Sequence, residues 1–300
     1  MATEIIDDEK LSKSEIYRKR KEDKLIKKAD LLTKILNTNA ADVGTTSYTS
    51  PAFIWGTMPH SEPLDKNGKP ISEFKRKSHH DSGDFTITLQ AVDEIGIPWG
   101  IYPRLILAWF GEQIVKTGNK EIVLSDGGME GFMADVGVDT SSWGRTGNCK
   151  RFDAQLARLL TCRLTCVGFR PGKKHEAQHM GYFKQFSIAD EADLWWTAEA
   201  KQARKKNPPN PNQLSFPSRI VLTDQFMNLI LSAPVPLDSR VLRFLGPSPL
   251  AFDVYAWLTY SVYALKEDSP LITWKRLSEQ FGAGYKRLRA FKGKFLKQLD

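Results

Sequence analysis

Long apolar runs are missing from this sequence. No stretch approaches the ~18 residues that a membrane span requires, and Leu105 to Phe110 reads as a fragment of a buried helix. Cysteine is scarce. Cys149, Cys162 and Cys166 are too few, and odd in number, for a disulfide framework, which suits a reduced compartment. The opening MATEIIDDEKLSKSE has no apolar segment of the export type, so nothing there marks the chain for secretion. Acids fall short of bases, 35 against 43, leaving a formal net charge of +8 and a pI near 9.2. A polyanion is therefore the first partner to consider. Against these absences, 300 residues with 41% hydrophobic content are ordinary globular composition, enough for one large domain or two.

The excess of bases is concentrated at one end. Leu271 to Asp300 holds Lys275, Arg276, Lys286, Arg287, Arg289, Lys292, Lys294 and Lys297 against only Glu279 and Asp300. Solvated helical faces usually mix their signs. This segment does not.

Residues 1–44 form a charged arm in which Leu25/Ile26, Leu31/Leu32 and Ile35/Leu36 recur at helical spacing. An amphipathic helix and a mobile tail with transient helix both fit, and the tail is the plainer reading. Thr45 to Asp84, rich in Ser, Pro, Gly and His, reads as loop. Phe85–Gln90 alternates like a half-buried strand, Pro103 opens a helix to about Lys116, and Glu121–Leu124 is a short strand. Asp126 suits the cap of a short helix through Met133. A longer helix, about Cys149 to Arg163, places Phe152, Leu156, Leu159 and Leu160 on one face. Strands at Leu164–Phe169 and Tyr182–Ile188 flank a turn at Pro171-Gly172. Strand, three helices and a hairpin is the order of a winged helix.

The charged, proline-broken stretch EAKQARKKNPPNPN marks a linker over 199–213. The sequence thus divides into the arm (1–44), a first winged-helix domain (45–198), the linker, and a second winged-helix domain (214–300). The class is α+β, mainly helical with short hairpins. Beyond the linker, Phe216–Leu222 reads as strand and Thr223–Leu231 as a short helix. Ser248 and Pro249 begin a long helix to about Leu265, apolar nearly all round and so expected to be buried. Leu271-Ile272 reads as a short strand.

Thr273 suits the cap of a helix from Trp274 to Phe281, and Gly282 supplies a residue tolerant of positive φ at its end. After Gly282-Ala283-Gly284, a helix from Tyr285 to Leu299 puts Tyr285, Leu288, Phe291, Phe295 and Leu299 on one stripe. Lys286, Arg287, Arg289, Lys294 and Lys297 lie opposite, with Ala290 and Gly293 among them. Glycine inside an exposed helix costs ~1 kcal/mol relative to alanine. Small residues among cations would let the backbone approach base edges, as a recognition helix does in a major groove. The candidate DNA contacts are therefore Lys275, Arg276, Tyr285, Lys286, Arg287, Arg289, Ala290, Gly293, Lys294 and Lys297. The first domain offers Arg145, Lys150, Arg151 and Arg158 as accessory contacts, although Asp153 intervenes and a packing or dimerisation role suits them equally.

Signals for catalysis are poor. His175-Glu176-Ala177-Gln178-His179 matches the zinc-protease pattern, but that chemistry needs both histidines on one helical face. Pro171-Gly172 before it and Gly181 after it place it in a hairpin turn, where it reads as a polar wing tip. Glu199-Ala200-Lys201 after Asp190 and Asp193 only echoes a metal-dependent nuclease, and no phosphate-cradling loop is present. His79-His80 lacks the spacing of a nicking initiator. Trp195-Trp196 reads as packing, and Cys162 with Cys166, even on one helical face, do not make a zinc site. The expectation is a non-enzyme without metal or cofactor.

Three segments resemble the RepA-type plasmid replication initiators: Ile97-Pro-Trp-Gly-Ile-Tyr-Pro-Arg-Leu-Ile-Leu-Ala-Trp-Phe, Ser248-Pro-Leu-Ala-Phe-Asp-Val-Tyr-Ala-Trp-Leu-Thr-Tyr and Gln280-Phe-Gly-Ala-Gly-Tyr-Lys-Arg-Leu-Arg-Ala-Phe-Lys. Ile114–Leu124, Phe132–Gly137 and Pro234–Asp238 extend the likeness over roughly 52–299. The resemblance implies two winged-helix domains, binding to iteron repeats at a plasmid origin and so a part in copy control, and local melting. It also implies recruitment of a host DnaA-type initiator and the replicative helicase, in the bacterial cytoplasm and away from membranes. The second domain would read DNA, and the first would contact backbone in a monomer or pair subunits in a dimer. Members of the family continue past the recognition helix into a hairpin wing. This sequence stops at Asp300, so the second wing is expected to be absent or the sequence truncated. A dimeric winged-helix repressor is the alternative function, and a zinc metallopeptidase the enzymatic one.

Overall fold

The structure is a computed structural model and describes residues 13–80, 83–92, 95–124, 128–138, 140, 147–170, 180–194, 218–264, 271–282 and 284–299. Its centre is an antiparallel sheet in the order β2 (Glu73–His80), β3 (Gly83–Gln90), β5 (Arg163–Arg170), β6 (Met180–Ser187). The alternation of Phe85, Ile87 and Leu89 sends all three to one face, where the register sets Ile87 opposite Cys166 and Leu89 opposite Leu164. Helix α3 (Ile101–Thr117), α4 (Gly128–Val136) and α5 (Asn148–Thr161) share one core with that face, with Phe110, Phe132, Phe152 and Leu156 fully buried. The α+β expectation holds at that level: helices with small antiparallel sheets.

The expected hairpin is there, but as the outer half of this larger sheet. The stretch 45–84, expected as loop, contains β1 (Thr46–Thr49), α2 (Pro51–Trp55) and β2. Strand β2 escapes the alternation rule because its inward positions are Phe74, Arg76 and Ser78 rather than three hydrophobes. Arg76 is 2% exposed, its Nη2 has no hydrogen-bond partner among the described residues, and burial holds its pKa down at about 10. Asp126, the expected cap of α4, lies outside the described residues.

Residues 218–231 pack into the first core. Strand β8 (Arg219–Leu222) joins β4 (Glu121–Val123) to β7 (Ala189–Asp193), and α6 (Asp224–Leu231), capped by Thr223, buries Phe226 and Ile230 in the same cluster. Strand β9 (Val235–Asp238) pairs with β1. There α3 runs so close to β1 that a Cβ at Gly111 would lie 2.1 Å from the Tyr48 carbonyl oxygen, so only glycine fits.

Helix α7 (Ser239–Leu245) leads to α8 (Pro249–Ala264), which starts where Ser248 and Pro249 predict, with Ser248 Oγ accepting from the Ala251 N–H at 3.2 Å. Only its first half is the buried element expected. Leu250, Phe252 and Val254 are buried, whereas Val262 and Tyr263 are exposed because no described element covers them. Leu271 and Ile272 form no strand and are exposed. Residues 13–37 form one helix, α1 (Lys13–Asn37), not a tail. Cys162 ends α5 and Cys166 lies in β5, so they share no helical face; burial pushes both thiols up to about 12.

A buried polar network ties these parts together. Arg104 of α3 forms a two-pronged pair with Asp253 of α8, at 2.7 and 2.8 Å, and donates to the carbonyls of Met58, Pro59 and Gly100. His60 Nε2 meets the same carboxylate at 2.8 Å. Burial opposes the charge on Asp253, but Arg104 and His60 outweigh it and hold its pKa below the ordinary value. Burial lowers the pKa of His60 despite that carboxylate.

Candidate nucleic-acid interface

The cation-rich end is built as two short helices against the start of α8. Thr273 Oγ1 accepts from the Arg276 N–H at 3.3 Å and so caps α9 (Trp274–Phe281). Gly282 is needed for a different reason from the one the sequence suggests. Its φ is −98°, but a Cβ there would lie 2.6 Å from the Ser278 carbonyl oxygen. The turn is closed by space rather than by a left-handed residue.

The next helix, α10 (Leu288–Leu296), starts three residues later than expected because Arg287 is extended at its N-terminus. Tyr285 and Lys286 therefore precede the helix. Phe291 and Phe295 are buried among Phe281, Leu277, Leu250 and Val254, with ring centroids 5.5 to 5.8 Å apart. Tyr285 leans on Phe291 at 5.7 Å, whereas Leu288 and Leu299 of the expected stripe are about half exposed. Gln298 accepts from Ser248 Oγ at 3.1 Å and fastens the end of the segment to α8.

On the outer side Lys286, Arg287, Arg289, Ala290, Gly293, Lys294 and Lys297 are all exposed, as are Lys275 and Arg276 on α9. Among the described residues none of these cations has an ion-pair partner. Among the described residues no heavy atom lies within 4 Å of the position a Cβ would take at Gly293, so that glycine answers to no described neighbour. Lys292 differs, lying over the Trp274 ring at 5.0 Å.

Contacts that sequence reading did not find position this unit. Gln280 Nε2 donates to the Ile54 carbonyl at 2.9 Å, and Thr57 Oγ1 donates to the Gln280 carbonyl at 2.7 Å. His79 lies between Asp84, 2.6 Å from Nδ1, and Glu279, 3.3 Å from Nε2, joining β2 to α9. Partners 200 or more residues apart, as Gln280 is from Ile54 and Thr57 and Glu279 from His79, leave no local pattern.

The accessory set divides. Arg145 lies outside the described residues. Lys150 and Arg151 are exposed on the first turn of α5. Arg158 is engaged inside the fold, pairing with Glu62 at 2.9 Å and donating to the Ile95 carbonyl at 2.9 Å. The histidine pattern 175–179, Trp195-Trp196 and Glu199–Lys201 also lie outside the described residues, and Asp193 is paired with Arg219 at 2.9 Å. Among the described residues no three His, Cys, Asp or Glu side chains are grouped to hold a metal ion. Nor is any described helix long and apolar enough to cross a membrane.

A family model described as "Plasmid encoded RepA protein" matches residues 97–276. Two crystal structures of domains 2 and 3 of RctB align at 12% identity, with TM-scores of 0.49 and 0.46. The alignments cover 83% and 79% of this chain and 85% and 79% of those chains. No curated protein matches.

Proposed function

This chain belongs to the family of plasmid-encoded RepA proteins, and from that premise we propose that it is a replication initiator that binds repeated duplex sites at a plasmid origin. One observation carries the reading: α10 is held by its aromatic side and turns outward an exposed cationic edge that is unpaired among the described residues, with Ala290 and Gly293 leaving its backbone open. A groove of phosphates and base edges is the complement of such an edge. Arg287 and Arg289 would read bases, while Lys286, Lys294, Lys297, Lys275 and Arg276 would hold phosphates.

In this reading the unit that α9 and α10 build on α8 reads sequence, and the body formed by the first core, into which 218–231 pack, steadies the backbone with Lys150 and Arg151; that grouping replaces a division into winged-helix modules over 45–198 and 214–300. Subunit pairing, melting of the adjoining DNA and recruitment of a host initiator and helicase belong to the same proposal, as does the absence of catalysis. The test is footprinting on DNA flanking the protein's own gene, with permanganate probing of the supercoiled form. Protection repeating at a multiple of the helical turn, with unpaired thymines beside it, is the expected result. Protection without thymine reactivity would make the protein a repressor, and no protection would overturn the reading.

A further inference from the structure

The apolar core beneath α10 is drawn from the same end of the chain: Leu250, Val254, Leu277, Phe281, Phe291 and Phe295. Packing of this kind is strong but has little directional preference. Directional contacts reach the unit from a strap over 54–60, and the strap itself is seated on the body. A Cβ at Gly56 would lie 2.5 Å from Ile87 Cγ2, so the strap runs flat against β3. Its carbonyls are claimed from three elements. That of Thr57 accepts from Arg76 Nε of β2 at 3.3 Å, those of Met58 and Pro59 from Arg104 of α3, and that of Ile54 from Gln280 of α9.

The contacts between the strap and α9 are reciprocal. The last carbonyls of a helix have no partner within it. Ile54 lies in the last turn of α2, and its carbonyl receives Gln280 Nε2; Gln280 lies in the last turn of α9, and its carbonyl receives Thr57 Oγ1. Ile54, Thr57 and Gln280 are all buried, so either carbonyl left without its donor would be desolvated and unpaired. The pair sits two residues before Gly282, where the chain turns toward α10. An error of angle here is carried along the whole cationic edge, which from Arg287 to Lys297 runs about 15 Å at the helical rise.

We propose that Thr57 and Gln280 are positioning residues for DNA reading: by capping each other's helices they set α10 at one angle to the body, so that the target meets a preset edge. This rests on α10 as the reading helix, but the angle itself can be measured without DNA. Spin labels at Gln225→Cys, exposed on α6 in the first core, and at Gly293→Cys report it, since Cys149, Cys162 and Cys166 are buried. The labelled parent should give one narrow distance. Thr57→Val and Gln280→Met, each removing a donor at similar volume, should broaden it, and Thr57→Ser, which keeps the hydroxyl, should leave it narrow. In unlabelled protein each donor loss should weaken binding to the protected site about 5-fold. Binding to unrelated duplex and its salt dependence should stay unchanged, with Thr57→Ser at wild-type affinity.

A narrow distance retained in both Thr57→Val and Gln280→Met would overturn the proposal, as would Thr57→Ser behaving like Thr57→Val. Equal losses on target and unrelated duplex, or loss of the cooperative melting transition in both variants, would mean that the pair holds the fold rather than the angle, and would overturn it too. If only Thr57→Val fails to fold, Gln280→Met decides, because it leaves the Thr57 hydroxyl in place. A wild type that shows no preference for the protected site would strike the initiator reading instead, and the distance measurement would still decide whether the pair sets the angle.

Discussion

Helices α10 and α5 both carry several bases, yet those bases are differently employed. On α5, Arg158 is spent on Glu62 and the Ile95 carbonyl, and Asp153 interrupts the row, leaving Lys150 and Arg151 at one end. On α10 and its approach, Lys286, Arg287, Arg289, Lys294 and Lys297 are exposed and have no ion-pair partner among the described residues. A cation already paired in the fold contributes to its stability. One held without a partner adds mainly repulsion to the isolated protein, so its placement points outward to an anion.

The sharpest way to break that comparison is to neutralise each set. Lys286→Gln, Arg287→Gln, Arg289→Gln and Lys294→Gln together should weaken target binding by about 10²–10⁴-fold, with a salt slope shallower by ~3–4 and an unchanged melting temperature. Lys150→Gln with Arg151→Gln should lower the slope by only ~1–2. Equal effects from the two sets would erase the distinction. Single residues sharpen it further. Arg289→Ala should cost ~1–3 kcal/mol in specific binding and relax preference at one base position. Arg158→Ala should lower the melting temperature by the equivalent of about 1 kcal/mol and leave DNA affinity alone.

The smallest effect concerns the joint between the two regions. Burial depresses the folded-state pKa of His60, so the unfolded chain binds its proton first as pH falls below ~6.5. The stability tied to a neutral His60 is complete above that pH and is lost as pH falls through the folded pKa. Melting temperature should therefore fall from pH 7 toward 5 in the wild type and less steeply in His60→Gln. Parallel curves would remove His60 from the joint.

Local chemistry made much of this legible in the sequence. Thr223, Ser248-Pro249 and Thr273 each mark a helix start correctly, because a cap is a contact within a few residues. The Phe291/Phe295 face follows from period alone. What was not legible depends on distant partners: β2 is held in register by β3 although its inward residues include Arg76 and Ser78, and Arg158 is claimed by Glu62, 96 residues away. Gly282 was found for the wrong reason, since its need comes from Ser278 and not from its own φ. The half-exposed Leu288 shows that a stripe drawn from Tyr285 to Leu299 overextends a helix whose first turn Arg287 leaves unwound. The family match ends at residue 276, so the cationic edge of α10 rests on this chain's own geometry.

That edge can be interrogated directly by a photo-crosslinker attached to Gly293→Cys, a position with open space around it. Irradiation on the protected DNA should join it to bases on the major-groove side, at one fixed position in each repeat, while the same probe at Arg151→Cys should reach only backbone or nothing. Crosslinks from position 151 to bases, with none from position 293, would contradict the assignment of α10 as the reading helix.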